Sequence, residues 1–102
     1  MFGKRANARE LPAPPGAIAT PDAVEILRVW AAPGKPVHLA LQTTWQDPAA
    51  WGLMLVDLAR HVAQAYERDG RNREEVLARI RSAFDAEWSS PTDSPKDVTN
   101  AK

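Results

Sequence analysis

The sequence predicts a small α+β domain with two layers, in which a β-hairpin is followed by two antiparallel helices (β-β-α-α). Two runs that favour strands flank a Pro-Gly turn, Asp47 to Gly70 has helical periodicity with clear start and stop signals, and a second helical pattern follows at once. The domain is expected at residues 21–90 of the 102-residue chain. It lies between an N-terminal arm, 1–20, and a C-terminal tail, 91–102, which are both predicted to be disordered because they are Pro-broken, polar or rich in small residues.

The hairpin is predicted from two neighbouring runs. The run VHLALQTT, residues 37–44, alternates between an apolar and a more polar face, as a strand with one buried face does. The run AVEILRVWAA, residues 23–32, is rich in β-branched residues, and the turn signal at residues 33–36, Pro-Gly-Lys-Pro, joins it to its partner. Thr20-Pro21-Asp22 is also a good helix start, so a helix at 23–32 is the alternative to the first strand.

The central helix is the best specified element. Asp47 is expected to be the N-cap, Pro48 suits the first helical position, and Gly70 can take the left-handed conformation that ends a helix near Asp69. Its apolar arc approaches roughly 200°, which is wider than the ~100° that one packing layer needs. We expect the helix to cover one face of the hairpin and to have apolar surface left for the second helix or another subunit.

The second helix spans residues 71–89. Asn72 and Glu75 form a capping-box pattern at its start, and the very short connection through Gly70 predicts an αα-hairpin. Trp51 and Trp88 recur at helical spacing with other apolar residues and are expected to be core anchors.

Composition narrows the classes of function. Thirteen basic and thirteen acidic residues leave no net charge that would attract nucleic acid or an anionic membrane. No run of eighteen apolar residues predicts a membrane span, and the lack of cysteine fits a reducing compartment. We therefore expect a cytoplasmic protein with no nucleic-acid or membrane partner.

No catalytic, cofactor-binding or metal site is predicted. Asp57 and His61 stand one helical turn apart and could share a proton or two ligand positions, but a solvated pair is the simpler interpretation because a third ligand such as His38 cannot be placed beside them. Thr43 and Thr44 precede the central helix without the glycines of a phosphate loop. We therefore predict that the protein is not an enzyme.

The candidate partner surface consists of residues that combine rings and charge outside the expected core. Arg28 and Trp30 share one face of the first strand and could present a cation and a ring together. The full set is Arg28, Trp30, Trp45 and His61.

Three segments resemble a known family. EILRVW, then DPAAWG with LMLVDLARHVAQAY following, and FDAEW with SSPTD following are similar to a family of small bacterial proteins described as a domain of unknown function. The resemblance covers about Asp22 to Asp93 and supports the domain boundaries. It implies no activity, substrate or cofactor.

The resulting hypothesis is a non-catalytic protein-interaction module that forms a homodimer. A hairpin with two free edges and a wide-faced helix would be completed by a two-fold partner, giving either a four-stranded sheet across the dimer or a helix-to-helix interface. The alternative is a small-molecule-binding domain or enzyme subunit with a pocket between the hairpin and the helices, lined by Trp45, His38 or His61.

Overall fold

The structure is a computed structural model that describes residues 9–92 and the backbone of residues 98–100. Its elements follow in the order α1 (Pro15–Ile18), β1 (Leu27–Trp30), β2 (His38–Leu41), α2 (Ala49–Arg68), α3 (Arg73–Ser89) and β3 (Val98–Asn100). The hairpin followed by two helices is the predicted α+β order, and the strand interpretation of the first run is confirmed at residues 27–30.

The hairpin is antiparallel, and its register assigns the side chains to two faces. Leu27 pairs with Leu41 and Val29 with Leu39, so these four aliphatic residues share one face. The turn that joins the strands has Gly34 at φ +70° and a hydrogen bond from the Lys35 amide to the Ala32 carbonyl oxygen at 3.1 Å. This is the geometry that the Pro-Gly signal predicts.

Helix α2 begins and ends at the predicted signals. The Ala49 amide donates to the Asp47 carboxylate at 2.9 Å, so Asp47 caps the first turn although the first helical residue is Ala49. At the other end Gly70 has φ +96° and its amide donates to the Glu67 carbonyl oxygen, while the Arg71 amide donates to that of Tyr66. These paired bonds form a Schellman motif, which requires the left-handed conformation that glycine adopts freely.

Helix α3 starts at the predicted cap. The Glu75 amide donates to the Asn72 side-chain oxygen at 2.9 Å. The connection from Gly70 is so short that α3 turns back along α2, and the buried residues Ala63 and Val76 lie in the two helices.

Parts of both terminal segments form secondary structure. Residues 15–18, in the predicted arm, form the short helix α1 after Pro14, and residues 98–100, in the predicted tail, pair in parallel with β2. The strand order is therefore β1-β2-β3, with β1 at one edge. The rest of the predicted disordered segments, 1–8, 93–97 and 101–102, lies outside the described residues.

The sheet and the helices do not pack closely on each other within one chain. No Cα atom of the strands lies within 8 Å of a Cα atom of α2 or α3, so the expected cover of the hairpin by the central helix is not found. Among the described residues only Ala63 and Val76 are buried apolar side chains. The described elements thus form two packing units, the sheet and the helix pair, joined by residues 42–48.

Candidate protein-interaction surfaces

The first candidate surface is an apolar stripe on α2. Leu55, Leu58 and Val62 are spaced three and four residues apart, which places them on one side of the helix. Ala63, which is buried, points in a direction roughly 80–140° away from them around the axis. The three stripe residues are 37–44% exposed. Helix α3 therefore covers only part of the wide apolar arc, and this stripe is the part that it leaves open.

The second candidate surface is the apolar face of the sheet. It consists of the four paired aliphatic residues of the hairpin, Leu27, Val29, Leu39 and Leu41. Val29 is 50% exposed, and the other three are only half-buried. An antiparallel sheet usually packs one such face on a core, and neither long helix of this chain packs closely on it.

The opposite face of the hairpin carries Arg28 and Trp30, as predicted from the sequence. The Arg28 guanidinium donates two hydrogen bonds to the Glu25 carboxylate, at 2.6 Å and 2.9 Å. It also donates to the carboxylate of Glu10. The hydrogen bond from Arg28 lowers the pKa of the Glu25 carboxyl, and burial opposes this shift in part. Arg28 is therefore a neutralised cation, and the ring of Trp30 is the apolar part of this face.

The link between the two units is a pair of tryptophans. The rings of Trp45 and Trp51 meet edge to face with centroids 5.6 Å apart. The Trp51 indole N–H also donates to the Thr43 carbonyl oxygen at 2.8 Å. Trp45 consequently fixes the linker to the first turns of α2.

His61 and Asp57 form an exposed pair on α2. The His61 Nδ1 atom lies 2.8 Å from the Asp57 carbonyl oxygen and 3.5 Å from its carboxylate, and both side chains are about 70% exposed. No three His, Cys, Asp or Glu residues in the described part of the chain are grouped to hold a metal ion. The geometry is that of a solvated i,i+4 pair.

The four residues of the predicted partner surface therefore lie in three places. Arg28 and Trp30 share a face of the hairpin, Trp45 lies in the linker, and His61 lies on α2. The predicted partner surface did not include the α2 stripe. The sequence does indicate such a stripe, because the apolar arc of α2 is wider than one packing layer needs.

The expectation that Trp88 anchors the core is wrong. Its ring stacks on Phe84 at 5.6 Å, but it is 77% exposed. Helical spacing predicts which residues share a face, but it does not say whether another element covers that face. Trp51, by contrast, is half-buried.

An open groove of about 700 Å³ lies between the arm and β1. Residues of both sheet faces, including Leu27 and Arg28, line it together with Leu11 and Ile18 of the arm, so it runs along the edge of the strand. Trp45, His38 and His61, which were expected to line a pocket between hairpin and helices, do not line this groove.

These features define a small α+β domain with more apolar surface than its own elements cover. The chain belongs to the family described as Domain of unknown function (DUF5076), whose model matches residues 10–92. The predicted family resemblance is thereby confirmed. None of the described helices is both long and apolar enough to cross a membrane.

One similar solved structure comes from the photosynthetic bacterium Rhodopseudomonas palustrus CGA009, where the protein was provisionally assigned as a pyruvate dehydrogenase. It is 38% identical, the match covers 94% of this chain and 95% of that one, and the TM-score is 0.69. No curated protein matches the chain.

Proposed function

We propose that this chain is a non-catalytic protein-interaction module of the bacterial cytoplasm that works as a homodimer. The observation that carries the proposal is the exposure of its apolar side chains. Fifteen large apolar side chains in the described part of the chain are at least 36% exposed, whereas two small or medium ones are buried. Large contiguous apolar surfaces on a folded chain are typical of association sites.

The chemistry of the polar residues also favours binding over catalysis. Arg28 is neutralised by two carboxylates, and His61 and Asp57 are solvated on α2. A general acid or base needs a positioned substrate site within hydrogen-bond reach. These groups lie on separate elements, so they do not converge on one reacting centre.

Light scattering tests the homodimer directly. At micromolar concentration we expect about twice the 11.2 kDa mass of one chain. Leu58→Asp should shift the mass towards the monomer, because it places a charge in the α2 stripe. The matched control is Leu53→Asp on the same helix, which lies outside the stripe and is already 75% exposed. A monomer mass for the unmodified chain would refute the proposal.

Affinity capture tests the interaction role. The intact chain should retain a protein that Trp30→Ala loses, because Trp30 is the exposed ring of the polar hairpin face. Leu53→Ala on α2, away from the hairpin and at a residue that is 75% exposed, is the control. Equal retention by both variants would argue against this face.

An enzyme subunit is the second candidate. It is favoured by the assignment of the similar structure and by the groove beside β1, whose volume is in the range of ligand sites. A carboxylate such as pyruvate would have to displace Glu10 and Glu25 from Arg28. NMR titration with pyruvate decides the matter: saturable shifts at Arg28 that Arg28→Met abolishes would favour this candidate over the first.

A further inference from the structure

The two uncovered apolar surfaces of the chain are complementary in kind. The α2 stripe, Leu55, Leu58 and Val62, is a row of aliphatic residues on a helix, and the apolar sheet face is a patch of four aliphatic residues on a hairpin. Helix against sheet face is the ordinary packing of an α+β domain. In this chain each surface lacks a close partner of the other kind among the described elements.

Neither surface contains a charged residue. The charged and polar residues of α2, such as Asp57 and Arg60, lie on the other side of the helix, and Arg28 lies on the other face of the hairpin. Bringing the two surfaces together therefore buries no unpaired charge, which would be costly. A basic or acidic partner has nothing to recognise there, whereas a second copy of this chain offers both surfaces.

The geometry points to a reciprocal dimer in which the α2 stripe of each copy packs on the apolar sheet face of the other copy. This inference rests on the proposed homodimer and specifies its interface. It follows from the separation of the two surfaces within one chain: the Trp45–Trp51 contact holds the linker on α2, and no Cα atom of the strands lies within 8 Å of one in α2 or α3. Two such chains related by a two-fold axis fill each other's gap, as an isologous interface requires.

Cysteine cross-linking tests the arrangement, because the chain has no cysteine of its own. Leu58→Cys and Val29→Cys are prepared as separate chains with different tags, mixed, and treated with a short bismaleimide. Only bonds between chains can join the two tags. We expect a cross-linked heterodimer as the main product.

The control replaces Leu58→Cys by Gln64→Cys, an exposed position on the opposite side of α2. With Val29→Cys it should give at least tenfold less cross-linked product. Leu58→Cys and Gln64→Cys should each retain the dimer mass before cross-linking, which shows that the variants assemble.

The outcomes separate this inference from the proposed function. A monomer mass for the unmodified chain refutes both. The chain could instead have the dimer mass while Val29→Cys gives as much cross-linked product with Gln64→Cys as with Leu58→Cys. That result refutes the reciprocal interface and leaves the homodimer standing. Efficient joining of two Leu58→Cys chains, with little joining to Val29→Cys, also refutes it and indicates a helix-to-helix dimer.

Discussion

The indole N–H of Trp51 donates to the carbonyl oxygen of Thr43 at 2.8 Å, so the first turn of α2 is tied to the chain that leaves the hairpin. The Trp45 ring packs edge to face on the same indole. This contact is where the described structure connects the two packing units, and its loss should be measurable in stability.

Trp51→Phe should lower the free energy of unfolding by about 1 kcal/mol, because it keeps a ring beside Trp45 and removes one hydrogen bond. Urea unfolding at fixed protein concentration measures the change, since the stability of an associating chain depends on concentration. Trp88→Phe is the control and should change stability by less than about 0.5 kcal/mol, because Trp88 is largely exposed. Equal effects of the two variants would contradict a specific role for the Trp51 bond.

Two glycines should respond to alanine in opposite directions. Gly70 has φ +96°, a conformation that alanine adopts at a cost of about 1–2 kcal/mol. Gly52 lies inside α2, where alanine is favoured by roughly 0.8–1 kcal/mol. A Cβ at either position has no atom within 4 Å, so sterics do not confuse the comparison.

Thermal unfolding checks this pair. Gly70→Ala should lower the melting temperature and Gly52→Ala should raise it. A rise for both variants would show that Gly70 does not end the helix as a Schellman motif requires.

Local signals predict the boundaries of the elements well, because they depend on a few neighbouring residues. Asp47, Asn72 and Gly70 start or end the helices through hydrogen bonds within five residues of themselves. Such caps are readable from the sequence because the backbone groups that need them are adjacent.

Relations between distant segments are much less predictable. The alternation in β2 shows that Leu39 and Leu41 share a face, but it does not say what meets that face. The pairing of Arg28 with Glu10 and the parallel strand at residues 98–100 join segments whose polar composition indicates disorder. Likewise, the width of the α2 arc predicts a missing partner without saying whether that partner is a helix, a sheet or another chain.

The Glu25–Arg28 pair should contribute a pH-dependent part of the stability. The hydrogen bond from Arg28 lowers the pKa of Glu25 in the folded chain, whereas the pKa in the unfolded chain is near its ordinary value, about 4.3. The ionised carboxylate therefore stabilises the folded state above about pH 4.3, and this contribution is lost as the pH falls through the folded-state pKa.

Glu25→Gln should accordingly be less stable than the unmodified chain at pH 7, and the difference should shrink as the pH falls below about 4. Denaturant unfolding between pH 3 and pH 7 measures it. In an Arg28→Met background the same substitution should give a difference that hardly depends on pH. An unchanged deficit at pH 3 would show that the carboxylate charge is not its source.

Thr44 adopts φ +64° in the linker, a conformation that is unfavourable for a β-branched residue by about 1–2 kcal/mol. Its hydroxyl donates to the Gln42 carbonyl oxygen at 3.0 Å, which offsets part of this cost. Thr44→Gly should relieve the strain, although glycine gains conformational freedom in the unfolded chain. The expected net result is a gain of up to about 1 kcal/mol.

Thr43→Gly is the matched control, because Thr43 does not have a positive φ and its carbonyl oxygen remains available to Trp51. It should destabilise the chain by roughly 0.5–1 kcal/mol through unfolded-state entropy. Urea unfolding of both variants at one protein concentration gives the comparison. Equal losses would mean that Thr44 is not strained. If Thr44→Gly raises the free energy of unfolding but weakens dimerisation, the strained linker has a role in assembly. It would hold the sheet at the angle to α2 that the second copy requires.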